Sequence, residues 1–398
     1  MIGINTEIIR IEDNDNLLKP AADCLRNGGL VAFPTETVYG LGGNALLAQS
    51  AEKIYRVKGR PSDNPLIVHI SALDEAEKIG ERIPDSFYRM AEAFWPGPLT
   101  MIVRRKAEIP YSVTGGLDTV AIRMPSHPIA RKLIALAGCP VAAPSANLSG
   151  GVSPTLAKHV IQDLNGKIEY IIDGGSAQYG LESTVISLTG DKPVILRPGS
   201  ITYSMILEIL PDTLLHESLI GTVQDLEEKP SSPGMKYKHY SPKAEVFLLY
   251  GTDEKIRSYM KEHDSENCCM FLYEKQEKSD FCHTYNLGSD KDLSQSASRI
   301  FAYLRDADEK GYQRIYIPAV PEKGVGRQYL PQSYGGVFAE KTFAGKRKNG
   351  CSGVLRRTLC GRRGIRFPEQ HRSFKRAGNG FKRFPLQTGI AGYDCGRG

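Results

Sequence analysis

Residues 58–70 read Lys58-Gly59-Arg60-Pro61-Ser62-Asp63-Asn64-Pro65 and then Leu66-Ile67-Val68-His69-Ile70. The first eight predict a rigid loop, because each proline fixes its own φ angle and removes a backbone donor. The next five, four of them apolar, predict a buried strand. The loop holds an ammonium, a guanidinium, a hydroxyl and an amide in one array, which suits a polyphosphate ligand. The alternative is a solvated surface loop.

Short apolar strands recur through the first two hundred residues and alternate with helical stretches. Helices are predicted over about 16–26 and 128–136. The predicted strands cover residues 30–33, 66–70, 100–103, 119–122, 140–143, 170–172, 184–186 and 194–196. The last strands have no helices between them, so the pattern predicts an α/β domain with a mixed sheet over residues 1–211.

A smaller α/β domain is predicted over residues 244–326. Its elements are predicted strands at 246–250, 269–272 and 314–317 and helices at about 254–262 and 291–307. This order indicates a Rossmann-like layer, but no glycine fingerprint follows its first strand to support dinucleotide binding. Residues 212–243 are predicted to be a linker, although Met235–Tyr240 is too cationic and aromatic for a plain spacer.

The basic character of the chain lies near its C-terminal end. The net charge of the 398 residues is +6, but residues 327–398 hold 16 of the 51 Lys and Arg residues and three of the 45 acidic residues. The rest is mildly acidic and gives no general argument for nucleic-acid binding. No apolar run predicts a membrane span, and residues 1–15 do not resemble a secretory signal, so we expect a cytoplasmic protein without a membrane partner.

The eight cysteines show no C-x-x-C pair and no disulfide-like spacing. Cys268 and Cys269, with Cys282 and His283, form the candidate metal cluster, but adjacent cysteines fit one tetrahedral site poorly. We interpret the cysteines as buried or incidental thiols and assign no protein ligands to a metal.

Five loops of the first domain carry more functional groups than connectors need. They are Phe33–Gly42, Lys58–Asn64, Val113–Gly116 with the strand that ends at Arg123, Ala143–Gly150, and Glu182–Thr184 with Leu196–Gly199. The first directly follows a predicted strand, and ligands of open α/β sheets collect beside strand ends. Each loop alone is weak evidence, since Ser145-Ala146-Asn147 is ordinarily only a turn.

Together, six segments closely resemble motifs of the YrdC-type threonylcarbamoyl-AMP synthases: 33–42, 58–69, 121–125, 144–149, 182–184 and 196–199. The second domain and the segment 232–240 resemble the long, two-domain form of that family. The resemblance covers about residues 1–326. It implies a twisted mixed sheet with a concave basic cavity, a smaller Rossmann-like domain, and a linker that closes over the active site.

The resemblance implies that L-threonine, bicarbonate or CO2, and ATP give L-threonylcarbamoyladenylate and pyrophosphate. A partner transferase complex then moves the threonylcarbamoyl group to an adenosine beside the tRNA anticodon. Mg²⁺ is expected with ATP, held mainly by the phosphates. The sequence contains no G-x-x-x-x-G-K-[ST] motif, so ATP is not expected to bind in a P-loop.

The resemblance also implies roles for individual residues. Lys58 and Arg60 match catalytic positions near the triphosphate. The ATP-binding positions are Lys58, Arg60, Ser62, Asn64, Thr114, Ser145, Arg197 and Tyr240. The threonine-binding positions are Thr35, His69, Arg123 and Ser183, with Arg123 pairing the threonine carboxylate. His69 has an alternative as a histidine at the edge of the core, and no general base is assigned.

Two other functions fit parts of the chain. An RNA-binding module without catalysis would use the basic concavity for tRNA or double-stranded RNA. A carbamoyltransferase of the hydrogenase-maturation type shares the first domain. That assignment requires an acylphosphatase-like domain and zinc-type cysteine pairs, and the sequence contains neither.

The resemblance ends where the charge changes. Gly324-Val325-Gly326-Arg327 fits the glycine turn of the family, whereas Gln328-Tyr329-Leu330-Pro331 does not continue into the helix that should follow. Residues 327–398 lack apolar periodicity, so little stable structure is expected there. They are either a basic tail for tRNA phosphates or the product of a shifted reading frame. We favour the second, because both changes begin at the same residues.

Overall fold

The computed structural model describes residues 4–11, 15–220, 242–276, 281–291, 293–319, 342–343 and 355–358. These residues form two β-sheets with flanking helices. The strands of the first sheet are β1 (Glu7–Arg10), β2 (Val31–Phe33), β3 (Gly40–Asn44), β4 (Ile67–His69), β5 (Gly80–Glu81), β6 (Leu99–Arg105), β7 (Thr119–Arg123), β8 (Val141–Ala143), β9 (Tyr170–Asp173), β10 (Thr184–Ser187), β11 (Val194–Arg197) and β12 (Leu214–Leu215).

Helices accompany the first sheet throughout its length. The α-helices are α1 (Lys19–Arg26), α2 (Ala48–Lys58), α3 (Ala76–Ile79), α4 (Asp85–Phe94), α5 (Tyr111–Thr114), α6 (Pro128–Ala137), α7 (Ala157–Leu164), α8 (Tyr203–Ile209) and α9 (Glu217–Ile220). Short 3-10 helices cover Asp15–Leu18 and Leu73–Glu75. Within the described ranges, no helix combines the length and the apolar character that crossing a membrane requires.

The first sheet is mixed, as predicted. Its strand order is β1-β9-β2-β3-β8-β4-β7-β6-β10-β11-β12, with β5 beside β6. β4 and β7 are parallel neighbours, whereas β8 and β6 run antiparallel to them. His69 and Arg123 end β4 and β7 as register partners, so both side chains lie on one face of the sheet. Val68, on the other face, packs into the largest hydrophobic cluster.

The second sheet contains β13 (Glu245–Tyr250), β14 (Cys268–Leu272), β15 (Thr284–Asn286), β16 (Arg314–Pro318), β17 (Thr342–Phe343) and β18 (Leu355–Thr358). It is accompanied by α10 (Asp253–Glu262), α11 (Leu293–Glu309) and a 3-10 helix at Glu274–Gln276. Its order is β15-β14-β16-β13-β18-β17, and the first four strands are parallel. The predicted smaller Rossmann-like domain is confirmed.

The last two strands of this sheet differ from the prediction of little structure after residue 326. β18 pairs antiparallel with β13, and β17 pairs antiparallel with β18. An edge strand presents unpaired backbone donors and acceptors, which pair with an added strand whatever its side chains. The pairing therefore needs no apolar pattern in the added segment.

Two further differences concern the loops near the functional residues. Lys58 is the last residue of α2, so the loop predicted from Lys58 begins at Gly59, whose φ of 62° ends the helix. Gly40–Asn44, which overlaps the predicted loop Phe33–Gly42, forms the buried strand β3. A Cβ on Gly42 would lie 2.8 Å from Phe33 Cε1 and from Val141 Cγ1, so the close packing of β3 requires glycine there.

Candidate active site

A cavity lies on the face of the first sheet that carries His69 and Arg123. Its empty volume, including the part open to solvent, is about 520 Å³. It is lined by Thr35, Thr37, Val38, Gly40, Arg60, Pro65, Ile67, His69, Arg123, Ala143, Pro144, Ser145, Glu182 and Arg197. Six of the predicted site residues are in this set: Thr35, Arg60, His69, Arg123, Ser145 and Arg197. Three arginines make the cavity basic.

Arg123 is held by the loop that follows β2. One terminal guanidinium nitrogen donates to Glu36 Oε1 at 2.6 Å and to Thr37 Oγ1 at 2.9 Å. Both charged side chains are at most 5% exposed, and Glu36 Oε2 also accepts from the Ser126 backbone N–H at 3.1 Å. The Nε of Arg123 is buried and has no hydrogen-bond partner in the part of the chain that the structure describes. Arg123 also lines the cavity, so its fixed guanidinium is placed to meet a ligand.

His69 is a neutral member of the cavity wall. Its side chain is buried, its Nδ1 lies 3.1 Å from the carbonyl oxygen of Ile67, and its ring meets Phe33 edge-on. Burial, followed by the positive charge of Arg123, lowers the pKa of His69 to about 3. The imidazole is therefore uncharged near neutral pH, and it can offer a hydrogen bond but not a positive charge to a ligand.

Thr35 shapes the loop between β2 and β3. Its Oγ1 donates to the Val38 carbonyl oxygen at 2.6 Å and accepts from the backbone N–H groups of Thr37 and Val38 at 3.2 and 3.3 Å. Side-chain bonds of this kind fix a tight turn. The loop thus carries Thr35 and Thr37 on the cavity side and Glu36 beneath Arg123.

Lys58 lies within the wall and is not among the residues that line the cavity. It is 3% exposed, and its Nζ donates to the carbonyl oxygens of Ser145 and Asn147 and lies 3.4 Å from Asn147 Oδ1. Burial, followed by the charge of Arg60, holds the pKa of Lys58 well below its usual value. We predicted that Lys58 faces a triphosphate; the geometry instead favours a role in joining α2 to the turn that carries Ser145.

The other residues of this loop take different positions. Arg60 lines the cavity, and its guanidinium donates to the carbonyl oxygens of Asn64 at 3.2 Å and Pro65 at 3.0 Å. Asn64 is 1% exposed, and its amide nitrogen and oxygen have no hydrogen-bond partners among the described residues. Ser62 is exposed and does not line the cavity. The loop therefore presents Arg60, rather than Ser62 or Asn64, to a ligand.

Ser145 and Thr114 were both predicted to bind nucleotide, but only Ser145 lines the cavity. The Ser145 hydroxyl donates to Asn147 Oδ1 at 2.6 Å. Thr114 is buried in its own turn, where Oγ1 donates to a backbone carbonyl at 2.7 Å. The next residue, Gly115, packs so closely that a Cβ would lie 2.7 Å from the Asp63 carbonyl oxygen. Thr114 therefore supports the neighbouring loop.

Arg197 and Ser183 form one unit at the ends of β11 and β10. Arg197 donates to the Ser183 carbonyl oxygen at 3.1 Å and to its hydroxyl at 3.0 Å, and lies 3.7 Å from Glu182 Oε2. Ser183 is fully buried, with its hydroxyl 2.7 Å from Thr100 Oγ1. Ser183 orients Arg197, while Arg197 and Glu182 line the cavity.

The remaining predictions concern Tyr240 and a metal ion. Tyr240 and the segment around it lie outside the described residues. Over the ranges that the structure covers, no group of three or more His, Cys, Asp or Glu side chains is arranged to hold a metal ion. Of the residues that line the cavity, one is acidic, Glu182. The cavity walls thus offer few ligands to a metal that arrives with a phosphate group.

Glu36, Thr37 and Glu182 belong to the site, although no role was predicted for them. A carboxylate does not suit an anionic ligand, so the presence of Glu36 in a loop expected to bind anions predicts no role in binding. Glu36 and Arg123 are 87 positions apart, so their pairing is visible only once β2 and β7 are placed in one sheet. The one available signal was the presence of Glu36 inside a motif quoted for the family.

Comparison with known family models divides the chain into two matched parts. A model named for the Sua5, YciO and YrdC proteins, described as telomere recombination, matches residues 23–199. A second model, described as the threonylcarbamoyl-AMP synthase C-terminal domain, matches residues 201–329. The second match ends close to Arg327, where the composition of the chain changes.

Curated proteins with the same name in three organisms resemble most of the chain. The threonylcarbamoyl-AMP synthase of Pyrococcus abyssi is 43% identical over 318 residues, which are 78% of this chain and 90% of that protein. The one from Bacillus subtilis is 42% identical over 320 residues, 79% and 91% of the two chains. The one from Schizosaccharomyces pombe is 39% identical over 347 residues, 78% and 85% of the two chains.

Solved structures resemble the chain over the same extent. The crystal structure of P. abyssi Sua5 complexed with L-threonine has a TM-score of 0.74 and 40% sequence identity, and the match covers 83% of this chain and 97% of that one. The predicted resemblance to the long form of the family is confirmed by these matches. The chain therefore belongs to the YrdC-type threonylcarbamoyl-AMP synthase family, in its two-domain form.

Proposed function

We propose that this protein synthesises L-threonylcarbamoyladenylate from L-threonine, bicarbonate or CO2, and ATP, with release of pyrophosphate. The observation that carries the proposal is the basic cavity, in which Arg60, Arg123 and Arg197 converge within a chain of this family. Anionic groups are the ligands that such a cavity accommodates, and both a triphosphate and a carboxylate are anionic.

The reaction needs positioning and charge neutralisation more than it needs a reactive side chain. The threonine nitrogen adds to CO2 and loses a proton, which gives a carbamate. A carbamate oxygen then bonds to the α-phosphorus of ATP as the bond from that phosphorus to the β-phosphate oxygen breaks. Negative charge grows on the leaving pyrophosphate, and fixed guanidinium groups in a partly dry cavity stabilise it. Arg60 and Arg197 are the residues we assign to this task.

The threonine subsite is assigned to Thr35, His69 and Arg123. Arg123 lines the cavity, which supports a contact between its guanidinium and the threonine carboxylate. Glu36 holds the far side of the same guanidinium, which keeps its orientation fixed before the ligand arrives. Neutral His69 is suited to a hydrogen bond with the threonine amine or hydroxyl, because it adds no competing positive charge.

Mg²⁺ is proposed to enter as part of the substrate, bound to the ATP phosphates. The cavity wall supports this assignment, since Glu182 is the one acidic side chain among its described residues and Mg²⁺ in nucleotide sites commonly keeps waters and phosphate oxygens as ligands. The ion would neutralise charge on the triphosphate. Arg60 and Arg197 would then meet the oxygens that the ion leaves uncovered.

The product is an activated mixed anhydride, which has to be passed on. We propose that a partner transferase complex receives the threonylcarbamoyl group and moves it to an adenosine beside the anticodon of tRNA in the cytoplasm. The alternative function, an RNA-binding module without catalysis, is not favoured by the relatives, whose names are those of synthases.

The test is release of pyrophosphate by the purified chain with Mg²⁺ and ATP. Release that requires both threonine and bicarbonate supports the proposal. Absence of threonine-dependent release from folded protein overturns it. The Arg60→Ala variant should lose about 100-fold or more in kcat/KM for ATP, the usual loss when one donor to the developing charge is removed. The matched control is Arg56→Ala, which removes an exposed arginine of the last turn of α2, four residues before Arg60, and should keep wild-type values.

A further inference from the structure

Three loops that line the cavity also insert an apolar residue into the core of the second domain. Val38 comes from the loop after β2, Val152 from the loop after β8, and Leu181 directly precedes Glu182. All three are at most 5% exposed. They belong to the same hydrophobic cluster as Leu293 and Phe301 of α11. The cavity walls and the second domain therefore share a packed core.

Helix α11 approaches the cavity loops at backbone distance. Gly180 has a φ of 66°, and a Cβ at this position would lie 2.7 Å from the Ala297 carbonyl oxygen and from the Ser298 Cα. Both features restrict the position to glycine. A shift of α11 would thus be transmitted directly to the segment that carries Glu182 and Ser183.

Arg305 of α11 makes the polar contacts of this junction. Its Nε and one terminal nitrogen donate to the Val152 carbonyl oxygen at 2.9 and 2.5 Å. The same terminal nitrogen donates to Asp163 Oδ2 at 2.7 Å, and the other lies 3.5 Å from the His159 carbonyl oxygen. Burial, followed by Arg305 itself, lowers the pKa of His159 to about 3, so a neutral ring neighbours the guanidinium.

The loop that Arg305 holds at one end is held by Lys58 at the other. Lys58 donates to the carbonyl oxygens of Ser145 and Asn147. The Asn147 amide nitrogen crosses the loop to the Gly151 carbonyl oxygen at 2.8 Å. The position of Ser145 in the cavity therefore depends on two basic side chains, the buried Lys58 of the first domain and the partly buried Arg305 of the second.

We propose that Arg305 is a positioning residue through which the second domain fixes residues 145–152 against the ATP side of the cavity. The inference rests on the proposed function, because it names the substrate that this loop serves. It predicts that loss of Arg305 weakens ATP binding more than threonine binding, since Arg305 bonds to Val152, His159 and Asp163 and not to Thr35, His69 or Arg123.

The experiment compares Arg305→Met with Arg299→Met. Both residues are arginines of α11, but Arg299 donates to the Asn286 carbonyl oxygen inside the second domain. We expect R305M to raise the KM for ATP about tenfold or more, with kcat at saturating ATP and the KM for threonine within about threefold of wild type. R299M should keep the wild-type KM for ATP. Asp163→Asn, which leaves the bonds to Val152, should have a smaller effect than R305M.

Amide hydrogen exchange gives a readout that is independent of catalysis. The Ser149 and Gly151 N–H groups are bonded to the carbonyl oxygens of Lys58 and Leu148, and both should exchange faster in R305M than in R299M. Equal KM values for ATP in the two variants, or equal exchange at these amides, overturn the proposal. If R305M does not fold, R305K replaces it, because the lysine keeps the charge and packed stem but has a single nitrogen.

A wild-type chain without threonine-dependent pyrophosphate release would refute the proposed function by itself. Faster exchange of Ser149 and Gly151 in R305M would then still establish that Arg305 orders the loop, and only the assignment of the loop to ATP would fall. The two failures are thus distinguishable.

Discussion

Two cations are buried in the walls of the cavity, and each is compensated in a different way. Arg123 meets the carboxylate of Glu36 at 2.6 Å. Lys58 meets the carbonyl oxygens of Ser145 and Asn147, which offer dipoles rather than a full negative charge. A buried charge needs such partners, because removal from water costs several kcal/mol per ion. The Arg123 wall is therefore held by an ion pair and the Lys58 wall by backbone groups.

The difference explains how a basic cavity can be rigid before any substrate arrives. Arg123 is oriented by Glu36 while its Nε is left without a partner among the described residues. Lys58 donates its hydrogen bonds to carbonyl oxygens within the wall. Arg60, two residues later, provides the charge on the cavity side. A motif that contains two cations thus divides them between structure and binding.

The largest effect is expected on the Arg123 side. Glu36→Gln keeps the shape of the side chain but leaves the Arg123 guanidinium buried without a carboxylate. Removing one partner of a buried pair typically costs about 3–5 kcal/mol. Chemical denaturation should show a loss of that size in the free energy of unfolding.

The control for this prediction is Glu182→Gln. Glu182 lies 3.7 Å from Arg197, which is beyond hydrogen-bond distance, so its loss should cost about 1 kcal/mol, well below the cost of losing Glu36. If Glu36→Gln and Glu182→Gln lose equal stability, the buried ion pair of Arg123 is no more stabilising than the longer pair of Arg197, which contradicts the prediction.

A smaller effect is expected on the Lys58 side. Lys58→Met should lower the free energy of unfolding by about 2 kcal/mol at pH 7, because buried carbonyl oxygens lose their donor. The low pKa of Lys58 adds a pH dependence: the unfolded chain binds this proton more tightly, so wild-type stability rises with pH until about 10.5. The stability difference between wild type and K58M should therefore widen from pH 7 to 10. A difference that narrows would show that burial of Lys58 does not penalise its charge.

The smallest effect concerns acid stability. His69 has a pKa of about 3 in the folded chain and about 6.5 when unfolded, so protonation of the unfolded chain removes stability as the pH falls from 6.5 towards 3. By pH 5.5 this contribution is about 1.5 kcal/mol. Between pH 7.5 and 5.5, the free energy of unfolding should therefore fall by about this amount less in His69→Gln than in wild type. Equal losses of stability by wild type and His69→Gln over this pH range would contradict the prediction.

Much of the fold was predictable because its strands are short apolar runs. The runs at 66–70 and 119–122 became β4 and β7, and the predicted helix over 128–136 became Pro128–Ala137, bounded by proline and by Gly138. Gly40–Asn44 was not predictable as a strand, because glycine has low strand propensity and its value here lies in close packing against Phe33.

The site was predictable as a set of loops but not as a set of orientations. Arg60, Arg123 and Arg197 line the cavity as their motifs suggested, whereas Lys58, Ser183 and Thr114 act within its walls. Whether a side chain points into a cavity or into a wall depends on contacts between residues distant in sequence. No sequence pattern predicted the role of Arg305. Its partner is the backbone carbonyl oxygen of Val152, and every residue type carries that group.

A crystal structure of the chain with Mg²⁺, a non-hydrolysable ATP analogue and L-threonine tests most directly whether both substrates meet in this cavity. We predict that the threonine carboxylate lies within hydrogen-bond distance of Arg123. Triphosphate oxygens should contact Arg60 and Arg197, with Lys58 still bonded to the carbonyl oxygens of Ser145 and Asn147. Density for either ligand outside the first-domain cavity, or a cavity that stays empty at saturating ligand, would contradict the central claim.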